Sequence, residues 1–173
     1  MRVGSAAMSS EIAVSPLLSE SLIGTWQLLS RTDLTQSGEV CIDPTLGEHP
    51  VALLYYDSAG HFAAQFMKRD RDAEADTDMN TGAVGHVGQA SATPAANNSR
   101  ARGGYDAYFG TYTIDDTAST VTQTLIGALS QGNVGQVLTR HMVVLDDALT
   151  IRLDTTSANG DAVVRTLIWQ RVG

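Results

Sequence analysis

From Leu22 onward, polar and apolar residues alternate along most of the chain, with the two-residue period of strands whose faces meet different surroundings. The pattern predicts strands over residues 22–30, 51–56, 61–67, 106–114, 120–126, 136–145, 149–155 and 162–171, with a short one over 39–42. Turn signals separate them, at Asp57-Ser58-Ala59-Gly60, Asp115-Asp116, Asp146-Asp147 and Asn159-Gly160. The last of these, an Asn-Gly pair between strand patterns, is the strongest local hairpin signal. On residues 61–67, Phe62, Ala64 and Phe66 share one face and His61, Ala63, Gln65 and Met67 the other, and both faces are apolar enough to leave the inward side open.

Trp26 follows Gly24 by two residues in the first strong strand pattern. The glycine lets the backbone pass close beneath an indole, which in turn requires an apolar enclosure and an acceptor for its N–H. On the final strand Leu167, Trp169 and Arg171 share a face, which makes it a closing partner for the first. An antiparallel series joined by short turns hides its edges by closing into an up-and-down barrel. About eight strands leave an interior just wide enough for one small ligand.

The motifs Gly24-Thr25-Trp26, Tyr108-Phe109-Gly110-Thr111-Tyr112 and Leu167-Ile168-Trp169-Gln170-Arg171-Val172, in this order, resemble the bacterial lipocalin-like domain family, a group of calycin-type small β-barrels. The resemblance runs over residues 22–172 and implies an all-β fold: an antiparallel up-and-down barrel of about eight strands. Residues 1–21 are expected to form a flexible or loosely packed leader ahead of this single domain. Residues 68–103 carry no strand pattern and greatly exceed the usual connection of about 4–6 residues. They are expected to form a lid, since in the family this region covers one mouth of the barrel. Relatives in the family include small-molecule carriers and cofactor-free cyclases or isomerases. Members often carry histidine around positions 123 and 124. Gln123 and Thr124 stand there in this chain, so no proton transfer is carried over from those positions.

Parity nominates the inward polar residues. Arg140 shares a face with Leu138, Met142 and Val144, which places its guanidinium in the interior unless it sits near a barrel end and reaches water. A buried, unpaired charge costs several kcal/mol, so an inward Arg140 calls for a carboxylate, a set of carbonyls or an anionic ligand. Gln123 shares a face with Val121 and Leu125, and Tyr108 and Tyr112 share one with Gly110 and Ile114. Phenols facing a lumen can orient a carbonyl or an enol, or can simply pack. Arg140, Tyr108 and Gln123 are therefore the candidate catalytic residues, and Tyr112, Gln65, His61, Met142 and Trp169 the candidate ligand contacts. His61 follows a turn glycine and is expected at a rim, facing either the mouth or solvent.

Composition narrows the partners. A formal net charge of -8 argues against nucleic acid and anionic membrane surfaces. No apolar run approaches the roughly 20 residues of a membrane span, and the first 21 residues show no secretory core. Cys41 is the only cysteine, which fits a reducing compartment, and a cytoplasmic location is expected. The alternating acids from Asp70 to Asp78 lack the glycine and glutamate of a calcium loop, with Thr77 and Ala83 where these are required. The four histidines lack zinc spacing, and Gly82, Gly85 and Gly88 lack a phosphate-loop lysine; no metal and no cofactor are assigned. The expected partner is a hydrophobic small molecule, either transformed by cyclisation or isomerisation of a natural-product type or simply carried. A closed scaffold with a packed interior is the third alternative. A homodimer is compatible with apolar patches on a barrel exterior, though no stripe compels one.

Overall fold

In the computed structural model, which describes residues 16–71, 101–157 and 159–173, the first long strand pairs with the last and the sheet closes. β1 (Gly24–Thr35) is followed by the two-residue β2 (Val40–Cys41), β3 (Val51–Tyr56), β4 (His61–Met67), β5 (Tyr105–Asp115), β6 (Thr120–Ala128), β7 (Val137–Leu145), β8 (Ala148–Thr156) and β9 (Ala162–Arg171). Each long strand is antiparallel to its neighbours in the order β1-β3-β4-β5-β6-β7-β8-β9, and β9 returns to β1 with Trp26 opposite Arg171 and Thr35 opposite Val163. The result is a closed eight-stranded antiparallel barrel, with β2 added outside through Asp33 opposite Cys41. Closure removes the exposed edges that such a series would otherwise present.

Side chains alternate inward and outward around the wall. Burial settles the parity of β4: Phe62, Ala64 and Phe66 face in, and Gln65 and His61 face out. A β-bulge between Leu28 and Ser30 changes the parity of β1 midway. Trp26 and Leu28 point inward before it, and Arg31 and Asp33 after it. Without the extra residue, Ser30 and Thr32 would face the interior and the charged pair would face solvent.

One end of the barrel is sealed. The helical turn α1 (Leu18–Ser21) buries Leu18, and Leu22 behind it is wholly enclosed. The Trp26 indole, fully buried, donates to the Leu22 carbonyl at 2.9 Å, which supplies the acceptor its N–H requires. Ser19 ties the turn to the β5–β6 connection, its amide and hydroxyl both donating to the Asp116 carboxylate at 2.8 and 2.7 Å. The end of the expected leader is thus packed from Leu18 on, because Leu18, with Leu22 after it, meets the apolar end of the barrel. The Asn159-Gly160 pair stands in the turn of the β8–β9 hairpin, as expected. The closing pair is Thr156 opposite Ala162, so these residues lie in a loop organised by the Ser157 hydroxyl, which accepts from the amides of Asn159 and Asp161. Most of the expected lid, residues 72–100, lies outside the described residues.

Candidate functional site

Above the sealed end, the inner wall carries a buried polar chain. Arg140 of β7 and Gln123 of β6 lie diagonally across a paired register in which Val121 faces Arg140 and Leu138 faces Gln123. Arg140 Nη1 donates to Gln123 Oε1 at 2.6 Å, and Gln123 Nε2 donates to the Tyr56 hydroxyl at 2.7 Å. Tyr56 belongs to β3, which pairs with neither strand, so this link crosses the interior. Its hydroxyl donates onward to Met142 Sδ at 3.7 Å. Burial pushes the Tyr56 hydroxyl well above the ordinary phenol range against the opposing pull of Arg140, so it stays protonated and serves as a donor. Arg140 and Gln123 are 5% and 2% exposed, which makes this an interior network.

These groups open onto a cavity lined by Leu54, Phe66, Tyr108, Ile151, Leu153 and Trp169 among others. Its empty space, counted to its mouth, is about 430 Å³, of which about 20 Å³ is roomy enough to centre a water molecule. The second figure corresponds to about one water. The interior is therefore narrower than the hollow the strand count implied, and a guest larger than a water molecule requires lining side chains to turn. The Trp169 indole N–H, in a residue 1% exposed, has no hydrogen-bond acceptor among the described residues.

A second polar group stands farther along the wall, beyond the bulge of β1. Arg165 of β9 grips Asp33 with two bonds, Nε to Oδ1 at 2.8 Å and Nη2 to Oδ2 at 2.7 Å. Arg31 Nη2 bridges Asp33 Oδ2 at 3.3 Å and Asp43 Oδ2 at 2.7 Å. Asp43 also caps its own loop, accepting from the amides of Thr45 and Leu46, and the loop lays Leu46 into the core at 1% exposure. Burial alone would raise the Asp33 carboxyl, but Arg165 and Arg31 outweigh it and hold the group below the usual range. The same contest, with Thr45 and Arg31 as the opposing partners, lowers Asp43. Asp106, two residues before Tyr108 on the same face of β5, is fully enclosed, and among the described residues neither carboxylate oxygen accepts a well-formed hydrogen bond, the Ala107 amide giving only a weak one. Burial pushes its pKa up to about 6, with the Asp43 charge adding to the rise and the Ala107 amide and Arg31 acting against it.

The candidates nominated from sequence fall into three sets. Arg140, Gln123, Tyr108 and Trp169 line the cavity. Met142 is inward and fully buried beneath Tyr56, and Tyr112 is half-buried, its hydroxyl donating to the Asp57 carbonyl at 2.6 Å while its ring meets Tyr56 edge-on at 4.9 Å. Gln65 and His61 stand outside the wall, because β4 turns its phenylalanines inward; Gln65 accepts from Tyr105 at 2.8 Å, and His61 Nδ1 lies 3.1 Å from Asp57. Neither of these two reaches the cavity. Tyr56, Arg31, Arg165 and Asp106 were not nominated. Parity could have found Arg165 beside Leu167, and Tyr56 beside Leu54, but Arg31 depends on a bulge that leaves no mark in the pattern.

Among the described residues no three His, Cys, Asp or Glu side chains gather as metal ligands, and no helix is long and apolar enough to cross a membrane. No curated protein matched the sequence in direct comparison. Residues 23–172 match the model of a family described as lipocalin-like domain.

Proposed function

The chain belongs to the lipocalin-like domain family, and from that premise we propose that its barrel encloses a small hydrophobic molecule and promotes a cofactor-free cyclisation or isomerisation of it. The observation that carries the reading is the buried chain Arg140–Gln123–Tyr56, set in a wall that is otherwise mostly apolar. A plain carrier of uncharged greasy ligands gains nothing from desolvating a guanidinium, which costs several kcal/mol. A catalyst does, because a cation fixed in a low-dielectric enclosure stabilises negative charge developing on a carbonyl or enolate oxygen without reorganising. The aromatic and aliphatic wall would hold one folded conformer of the substrate, and such positioning alone can supply a large part of an intramolecular rate gain.

Arg140 has the role of polarising the substrate oxygen. Gln123 fixes the guanidinium by accepting from Nη1, and Tyr56 fixes Gln123 by accepting from its amide. Tyr108 on β5 and Trp169 on β9 line the same cavity and would contact the guest.

Native mass spectrometry of freshly purified protein, followed by release of the adduct and its incubation with fresh protein, tests the reading. The expected result is an adduct of small-molecule mass that is converted to an isomer or a cyclised product by the natural sequence and more slowly by Arg140→Met. An adduct that is returned unchanged by both would leave the carrier reading in place and remove the catalytic one.

A further inference from the structure

We infer that the molecule held in the barrel presents an anionic oxygen group, a carboxylate, sulfonate or enolate, to Arg140 and the Trp169 indole N–H. The inference rests on the enclosure reading above and names the chemistry of the guest's head. Three guanidinium groups line the cavity, from Arg31, Arg140 and Arg165. Arg31 and Arg165 are matched by carboxylates, sharing Asp33 and Asp43 between them at 2.7–3.3 Å. Arg140 is not: among the described residues its one hydrogen-bond partner is the neutral amide oxygen of Gln123, and no carboxylate lies within ion-pair distance. Asp106, the remaining buried carboxylate, accepts no hydrogen bond from it.

A guanidinium carries five N–H donors in a rigid fork suited to a planar anion. Arg140 commits one of its nitrogens within the protein. Trp169 adds a second donor to the same cavity, in a side chain 1% exposed whose N–H meets no acceptor among the described residues. Buried donors are ordinarily satisfied, and an orphan of this kind calls for an explanation. The uncommitted nitrogens of Arg140 and the orphan indole N–H of Trp169, both lining this cavity, describe a receptor for oxygen atoms bearing negative charge. The apolar remainder of the wall, Leu54, Phe66, Ile151, Leu153 and Leu167, fits the hydrocarbon part of such a guest.

The test uses two dyes with the same ring skeleton, the sulfonate 1-anilinonaphthalene-8-sulfonate and the uncharged N-phenyl-1-naphthylamine, titrated against the full chain by fluorescence, with thermal unfolding run beside them to confirm folding. The natural sequence is expected to bind the sulfonate at least about tenfold more tightly than the neutral dye, the scale of one charge-assisted hydrogen bond. Arg140→Met should erase most of that preference while leaving the neutral dye unchanged, and Arg140→Lys should restore part of it. Trp169→Phe, which removes the N–H and keeps an aromatic ring, provides a second variant and should weaken the sulfonate more than the neutral dye. Equal binding of the two dyes, or a preference that survives both Arg140→Met and Trp169→Phe, overturns the inference and leaves enclosure standing. Failure of both dyes to bind overturns enclosure as well.

Discussion

Replacing Asp106 with asparagine removes a carboxylate that the barrel holds without a well-formed hydrogen bond to either oxygen among the described residues. Its pKa stands at about 6 against an ordinary 3.8, raised first by burial and then by Asp43. Because the folded state holds this proton more tightly than the unfolded one, the group costs nothing below pH 3.8, and its penalty grows as pH rises to about 6 and stays constant above. At about 1.4 kcal/mol per pH unit, the gap corresponds to roughly 2–3 kcal/mol of lost stability at neutral pH. The expected result is that Asp106→Asn is more stable than the natural sequence by about that amount near pH 7.5, and that the difference shrinks toward zero near about pH 4. The lowered carboxylates Asp33 and Asp43 act with the opposite sign, losing their stabilisation as pH falls through their depressed values, and they cancel between the two proteins. Urea denaturation at both pH values, with the slope m checked for constancy, measures the difference. A variant less stable near neutral pH, or a difference that does not change with pH, would refute the reasoning.

The other expectations are simpler. Asp33→Asn leaves Arg165 and Arg31 buried against a neutral amide and should cost about 3–5 kcal/mol by chemical denaturation, whereas the double change Asp33→Leu with Arg165→Leu should recover most of it; a loss below about 1 kcal/mol, typical of surface pairs, would contradict the assignment. Gly110→Ala puts a methyl group against the Thr124 carbonyl oxygen, a backbone atom that cannot turn aside, and should cost about 3 kcal/mol or more in the same measurement. Tyr56→Phe removes the acceptor for Gln123 Nε2 in a fully buried site and should cost about 1–3 kcal/mol; an unchanged denaturation midpoint would show that the amide has another partner.

The barrel was legible because its strands alternate cleanly and because Trp26 and Trp169 mark two long strands that meet through Leu28 opposite Trp169. Inward Arg140 and Gln123 follow from parity alone, since β6 and β7 pair regularly over those residues. Arg31 and Asp33 did not, because one unpaired residue in β1 reverses the faces after Leu28, and a bulge has no fixed residue signature. On β4 the small residues Ala63 and Ala64 made both faces apolar, so Gln65 and His61 could be placed outside only once the burial of Phe62 and Phe66 was known. Tyr56 is a longer-range case. Its role depends on reaching Gln123 across strands that never pair, a contact that no local pattern records.

The two indole N–H groups give the account its most direct measurement. In a proton–nitrogen correlation spectrum the chain's two tryptophans yield two indole signals, one from Trp26, bonded to the Leu22 carbonyl, and one from Trp169, without an acceptor among the described residues. On titration with the anionic dye, the Trp169 signal should move downfield as an oxygen acceptor reaches it while the Trp26 signal stays in place. Binding that leaves the Trp169 signal where it was would put the dye somewhere other than this cavity and contradict the central claim.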